Sequence, residues 1–528
     1  MAPTFTRRRA LAGTAAVTAG ALAGCFSSLS DDGDEGDRRA ARVSLISDPA
    51  DGNWDLYGGL TPYYTPVHET LTAATHDFES IEPWLATDWE AVDDQTWRFT
   101  LREDVTFHDG SPLDADAVAT SLGTLFEHER YDWAKCDEDS FSAEDGDLIV
   151  EPFERFGALP GTLSHPLFGI QRRDDAEPER PVGTGPYETP AIEFGEPVHT
   201  VAFESYWGVP PQLEELTFEG VVDPNTRSLG LESAETDLAF DLPRSHYDSL
   251  AADDDVVVRT ETEPRTGLAM VNLYRAPTDD EYVRRALNYA IDQETIVDTV
   301  LEGIGDPARG PYAESIPWSA HAELPAYGPD LERARDLLER SSYDADDLHL
   351  DLIVSNANPH EHDIASVMQS RFAEIGVEMD IRQLDSSSFF EVENKREANL
   401  ILVELGSING AADYLVHLQF HSMGGDNRAL YESEGTGVSN PGPEVDELIE
   451  RGDRALDETV KHDAYREVQH RVMDTGAVIP VYYKEYVLGQ RATTTGPELH
   501  SVPHMTRWSE FGYRESAAGD GTPSEGER

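Results

Sequence analysis

Leu348-His349-Leu350-Asp351-Leu352-Ile353-Val354 alternates apolar and polar side chains and closes on three apolar residues, the pattern of a strand with at least one buried face. Residues 331–338 before it and 361–375 after it carry apolar positions at helical spacing; the second stripe is Ile364, Val367, Met368 and Phe372. A further apolar run, Leu400-Ile401-Leu402-Val403, then repeats the strand signal. Helices alternating with strands in this way predict an α/β fold with a mostly parallel sheet. Upstream, 282–303 reads as one amphipathic helix on Val283, Ala286, Leu287, Ala290 and Ile291, with Gly303 as its stop. Arg42-Val43-Ser44-Leu45-Ile46 alternates and opens the folded part. Trp97-Arg98-Phe99-Thr100-Leu101-Arg102 and Val105-Thr106-Phe107 read as two strands of a hairpin, with Asp109-Gly110 supplying a tight turn. Residues 114–125 follow as a helix with Asp114 as N-cap.

The chain has 528 residues, enough for two or three structural units with ample core. Lys plus Arg is 40 against 103 Asp plus Glu, a net charge of −63. Such a surface repels phosphate backbones and anionic membranes, which excludes nucleic acid as the main ligand. Only four lysines occur, Lys135, Lys395, Lys461 and Lys484. A carboxylate-rich, lysine-poor surface suits molar salt, where the Debye length is ~3 Å and self-repulsion is screened. The composition therefore points to a salt-loving organism, with the archaeal halophiles as the best match. Hydrophobic residues at 39% still support packed cores.

Residues 1–25 read as an export address. Arg7, Arg8 and Arg9 hold a twin-arginine pair, and the Ala/Gly-rich run behind them is too short and too weakly apolar for a permanent membrane span. Its end, Leu22-Ala23-Gly24-Cys25, resembles a lipobox, which implies cleavage before Cys25 and lipid attachment to its thiol. Residues 26–40 follow as a flexible tether, and 516–528 as a disordered tail. Cys136 is the other cysteine and is expected to be a bystander, since no histidine partner assembles near it.

A longer set of motifs then comes in one fixed order. Pro83-Trp84-Leu85-Ala86-Thr87-Asp88-Trp89-Glu90 leads into the run from Trp97 through Phe107-His108-Asp109-Gly110-Ser111-Pro112-Leu113-Asp114-Ala115. Pro181-Val182-Gly183-Thr184-Gly185-Pro186-Tyr187, Ser205-Tyr206-Trp207-Gly208, Asp223-Pro224-Asn225-Thr226-Arg227 and Glu235-Thr236-Asp237-Leu238 come next. Arg284-Arg285-Ala286-Leu287-Asn288-Tyr289-Ala290-Ile291-Asp292 and Val478-Ile479-Pro480-Val481-Tyr482-Tyr483 complete the set. Together these blocks resemble the peptide/nickel class (family 5) of extracellular solute-binding proteins that serve ABC importers. The resemblance implies a two-lobed periplasmic-binding-protein-like fold (class II) with an additional inserted domain. Lobe I would be discontinuous, from 41–65, 181–265 and 487–515, with 66–180 inserted and lobe II spanning 266–486. It also implies a monomer, lipid-anchored on the outer face of the membrane, working with permease and ATPase subunits.

Reactive-looking residues are few. His108-Asp109 sits at a turn with no partner histidines at helical spacing, and His360 and His362, two apart, do not share a helical face. No Gly-x-Ser-x-Gly elbow, His-Glu-x-x-His helix or phosphate loop is present, so no catalytic residue, metal site or cofactor is expected. Gly406-Ser407-Ile408-Asn409-Gly410-Ala411-Ala412-Asp413-Tyr414 is the most informative stretch: a carboxylate on a small-residue turn after a strand is where α/β folds present ligand contacts. Ala412-Asp413-Tyr414 resembles the segment of peptide-binding members whose aspartate pairs with the substrate ammonium. Asp413 leads the candidate ligand contacts, with Tyr414, Ile408 and His417; the competing reading makes Asp413 the cap of a helix over 414–420. His417 and His421 are four apart, a spacing that can serve a metal. The dipeptide and nickel relatives often carry aromatic residues just before the aspartate, where Ile408 and Ala412 stand here, and the nickel-binding relatives carry a downstream histidine that is absent between Ser422 and Glu434. A di- or oligopeptide is therefore the expected solute, a nickel or metal chelate the alternative, and an exported hydrolase the second alternative.

Overall fold

The computed structural model describes residues 39–50, 61–126, 134–172, 180–356, 358, 360–395, 397–424, 441–496 and 505–514. The leader with Cys25, nearly all of the tether and the tail lie outside them.

An eleven-stranded mixed sheet runs through two lobes. At one end Glu378–Leu384, His349–Ser355 and Leu400–Gly406 lie side by side; at the other Leu238–Leu242, Ala40–Leu45, Glu215–Gly220, Val198–Ala202 and Tyr187–Glu188 do the same. Between them lie the long strands Val256–Val271 and Val478–Arg491, each crossing from one lobe into the other. The mostly parallel sheet expected from helix–strand alternation holds only locally. Ala40–Leu45 is parallel to both neighbours and His349–Ser355 to both of its own, whereas the crossing strands are antiparallel to each other. The alternation that suggested parallel pairing runs from Leu331 to Gly406, and it recurs in Glu215–Gly220, Pro224–Glu232 and Leu238–Leu242, whose two strands flank Ala40–Leu45 in parallel.

Local signals explain most elements. His349–Ser355 buries Leu350, Leu352 and Val354 in the core that also takes Ile364, Met368 and Phe372 of Glu361–Glu374, and it buries Ile353 in a separate cluster with Phe389 and Ala398. Residues 282–303, in contrast, form two helices, Glu281–Ala290 and Gln293–Thr299. Asp292 accepts from the Thr295 amide at 3.0 Å and caps the second, so the chain is extended at Ile291 although the apolar spacing continues.

Residues 69–182 hold their own core around a four-stranded antiparallel sheet: Ala86–Ala91, Trp97–Leu101, Asp147–Val150 and Phe141–Glu144 in that order. The expected hairpin is corrected here. Trp97–Leu101 pairs with Ala86–Ala91 and Asp147–Val150, while Val105–Phe107 is no strand and only closes a small loop through Thr106 and Pro112. Asp109-Gly110 does form the turn, with Gly110 at φ +80°. Asp114 accepts from the Ala117 amide at 2.9 Å and starts Ala115–Phe126, whose Val118, Leu122 and Leu125 pack on the small sheet. Two glycines let this unit dock closely: a Cβ on Gly183 or Gly185 would come within 2.0 Å of the Val67 or Pro66 carbonyl oxygen.

Candidate functional site

The crossing strands break register where the lobes meet. Thr262 faces Glu485 and Thr266 faces Tyr483, so Glu263, Pro264 and Arg265 bulge opposite Lys484 alone. The bulge carries a compact charge cluster. Lys484 reaches Glu404 at 2.9 Å and Glu263 at 3.4 Å, Arg265 pairs with Glu263 at 3.0 Å, and the Tyr482 hydroxyl donates to Glu404. Burial alone would raise the Glu404 carboxyl, but Lys484 and then Arg265 outweigh it and hold the group down at about 2. Two cations and two anions thus balance at the joint.

The loop following Leu400–Gly406 passes from this joint to the small-sheet unit. Asn409 donates to the Gly161 carbonyl and to Ser164, both at 2.9 Å, and the Thr162 hydroxyl donates to Asp413. Trp318 donates to the Gly410 carbonyl at 2.7 Å, and Gly410 sits at φ +74° with its α-carbon against Phe78, where a Cβ would come within 2.6 Å. The His165 ring meets Tyr414 edge-on at 4.9 Å, and the Tyr414 hydroxyl donates back to the Gly406 carbonyl. The Tyr63 ring also meets His165 edge-on at 6.0 Å, so three stretches remote in sequence, around Tyr63, His165 and Tyr414, converge.

A cavity of about 440 Å³ opens beside this loop, bounded by Asn409, Ser164, Thr65, Trp84, Trp207 and Arg507 among others. Its wall is organised by Glu69. One carboxylate oxygen accepts from Trp84 Nε1 and the Tyr206 hydroxyl, both at 2.9 Å; the other accepts from Thr184 at 2.8 Å and Trp207 Nε1 at 3.1 Å. Burial still outweighs these four donors and raises the Glu69 carboxyl to about 7. The two indoles stand nearly perpendicular, 5.4 Å apart, with the Arg102 guanidinium 4.1 Å from the Trp207 ring centre and Arg507 5.9 Å from that of Trp84.

The four residues expected to touch ligand are not among those bounding the cavity; their neighbour Asn409 is. Asp413 is 4% exposed and occupied by Thr162, and burial, first among its causes, raises its carboxyl to about 7. It is the first residue of the helix Asp413–Phe420, whose N-cap is Ala412, so it does not cap that helix either. Ile408 is half-buried, and Tyr414 packs on His165. His417 is buried on Asp453 at 3.2 Å and stacked on His421 with 4.3 Å between ring centres and 7° between planes. Rings so stacked hold their lone pairs in parallel planes, which do not converge on one ion, and no group of three metal-ligating side chains occurs among the described residues.

Other reactive-looking groups are also in structural use. His108 bonds the Gly185 carbonyl at 3.0 Å, and Glu361, raised to about 7 by burial, accepts from the Ser355 amide at 2.7 Å. Burial pushes the Cys136 thiol well up, away from the thiolate. No helix among the described residues is long and apolar enough to cross a membrane. The sequence reading did not single out Glu69, Trp84, Trp207 and Asn409, which line this cavity. A lone acid between two histidine- and threonine-bearing positions carries no local signal of its four distant partners.

Comparison with known proteins agrees with this architecture. The family described as "Bacterial extracellular solute-binding proteins, family 5 Middle" matches residues 80–427. The nickel-binding periplasmic protein of Escherichia coli is 25% identical over 495 residues, covering 87% of this chain and 92% of its own. A glutathione-binding protein of Salmonella typhimurium is 26% identical over 471 residues, covering 85% and 89%. Among solved structures, the dipeptide-binding protein from Pseudoalteromonas sp. SM9913 in complex with Met-Leu superimposes with a TM-score of 0.75 at 21% identity, over 90% of this chain and all of that one. A match across well over half of the chain, with the two-lobed fold to go with it, makes this chain a member of family 5 of the bacterial extracellular solute-binding proteins.

Proposed function

We propose that the chain is the solute-capturing component of an ABC importer, taking a di- or oligopeptide between its lobes and handing it to the permease and ATPase subunits. The observation that carries this reading is the cavity of about 440 Å³ beside the Asn409 loop, a volume suited to a small organic solute and bounded by residues from distant parts of the chain. A ligand held in this cavity, between Asn409 on one side and the Glu69 wall on the other, favours the closed form by its differential affinity, and the importer reads closure. Relatives bearing glutathione and Met-Leu support a peptide as the solute. The nickel-binding relative keeps a metal chelate as the second reading.

The division into 41–65 with 181–265 and 487–515, the insert 66–180 and the second lobe 266–486 accords with three separate buried cores. In this reading the chain works as a monomer and a binding protein rather than a hydrolase. It is exported by the twin-arginine route and anchored by lipid on Cys25, from an organism of high-salt habitat. Asn409 takes the ligand-facing place expected of Asp413, and Asp413 pins the loop.

Titration of the purified chain in molar KCl with dipeptides and with nickel-histidine, followed by tryptophan fluorescence, tests the reading. Saturable binding of peptides supports it. Saturable binding of nickel-histidine alone replaces it with the chelate reading, and turnover of a peptide without saturable binding removes both.

A further inference from the structure

A peptide brings a carboxylate, and the walls of the cavity hold more acids than bases. Glu69, Glu82 and Glu510 all border it, while Arg507 is the only lysine or arginine among the described residues that do. His68 brings no charge to the wall, since burial pushes it down to about 3. Arg102 lies against the Trp207 ring, 4.1 Å from its centre, and does not border the cavity.

Arg507 is also lightly held. Among the described residues its guanidinium makes one hydrogen bond, from Nη2 to Glu82 Oε1 at 3.0 Å, between residues 425 positions apart. The contact joins the cap of the short helix Trp508–Glu510 to the strand Ile81–Pro83 of the small-sheet unit. One nitrogen meets one oxygen, and the two side chains are 55% and 34% exposed. An ion pair so open to water contributes little to folding, whereas a guanidinium that turns its fork on a carboxylate gains two parallel bonds. The Glu82 contact is therefore readily exchanged for a better one.

We infer that Arg507 is the carboxylate anchor of the cavity: the terminal carboxylate of the bound peptide takes the guanidinium fork and displaces Glu82. Glu82 is the internal competitor, which holds the arginine at the cavity until the solute arrives and then turns to water. A neutral amide lacks the charge to displace it, so the cavity selects free acids. The inference rests on the peptide reading and adds to it the end of the peptide that is gripped.

The test compares Ala-Ala with its carboxyl-terminal amide on the full chain, on Arg507→Gln and on Glu82→Gln, by fluorescence titration at one KCl concentration. On the unaltered chain the acid is expected to bind roughly ten- to a hundred-fold more tightly than the amide. Arg507→Gln should weaken the acid alone and bring the two forms level. Glu82→Gln should act in the opposite direction, strengthening the acid a few-fold and leaving the amide as it was. Should Arg507→Gln not fold, the Glu82→Gln result still decides the question. Equal affinities of acid and amide on the unaltered chain, a preference that survives in Arg507→Gln, or losses of both forms alike in both variants would overturn the inference while leaving the peptide reading intact. Binding of neither form to the unaltered chain would remove the peptide reading, and the inference with it.

Discussion

Asp413 and Thr162 stand 251 positions apart and share a buried hydrogen bond, the hydroxyl donating to the carboxylate. The bond ties the loop that leaves the lobe joint to the small-sheet unit, and Asn409 adds two more ties a few residues away. Its chemistry makes the tie sensitive to pH.

The Asp413 carboxyl, ordinarily near 3.8, is raised to about 7 by burial, with Asp453 adding to the rise and Thr162 and Lys461 opposing it. A raised acid holds its proton more tightly in the folded state. Its contribution to stability is fully present below about pH 4 and is lost as the pH rises through 7. Asp413→Asn keeps an acceptor for Thr162 and should remove that decline, leaving the variant more stable than the parent above pH 7 by on the order of a few kcal/mol. Unfolding midpoints from pH 4 to 8 check it; parallel curves for the two proteins would refute the assignment.

The same variant separates pin from anchor. With its carboxylate held by Thr162, Asp413→Asn should bind a free-amine dipeptide and its amino-acetylated form with unchanged preference. A loss of about 1.5 to 3 kcal/mol confined to the free-amine form would return Asp413 to the role of ammonium anchor.

At the joint, Lys484→Met leaves Glu263 and Glu404 with Arg265, and Glu404 with the more distant Arg244, in place of their direct ion pair. Breaking a largely enclosed charge cluster on one side should cost about 2 to 4 kcal/mol. The acid limb should change as well. Glu404, held near 2 against an ordinary 4.5, stabilises the fold above about pH 4.5 and loses that contribution as pH falls through 2. Lys484→Met should flatten this limb in an acid titration of thermal stability, and an unaltered limb would mean that Lys484 does not set the Glu404 value.

A net charge of −63 predicts that the unfolding temperature rises steadily as KCl increases from about 0.1 M to several molar, through screening of carboxylate repulsion. A flat or falling curve would remove the high-salt reading. Mass spectrometry of the native amino terminus checks the export reading: a lipid-bearing Cys25 is expected, and an unmodified peptide spanning Gly24 to Phe26 would exclude it.

What the sequence disclosed, and what it hid, follows the range of each signal. Strand His349–Ser355, helix Glu361–Glu374 and the Asp114 cap were legible because period and capping act within a few residues. The break at Ile291 was hidden because apolar spacing continues across it while Asp292 restarts the helix. Val105–Phe107 resembled a strand because alternation does not say which partner is near. Of the loop that carries Asp413, Asn409 borders the cavity and Asp413 does not. Nothing local marks Asn409 as the residue that reaches Gly161, 248 positions back. Glu69 was invisible for the same reason, since its partners lie 15, 115, 137 and 138 positions away.

The two long strands bear on descent as well as on motion. Met270 faces Val478, so the chain leaves for residues 271–477 and comes back at paired neighbours, roughly 5 Å apart. A block whose ends lie side by side can be lifted out and replaced by another without rerouting the remaining chain. Recombination at this one seam exchanges the Asn409 loop and its surroundings while the Glu69 hub and the small sheet are inherited unchanged. The Asn409 side of the cavity can in this way change while the wall around Glu69 stays as it is.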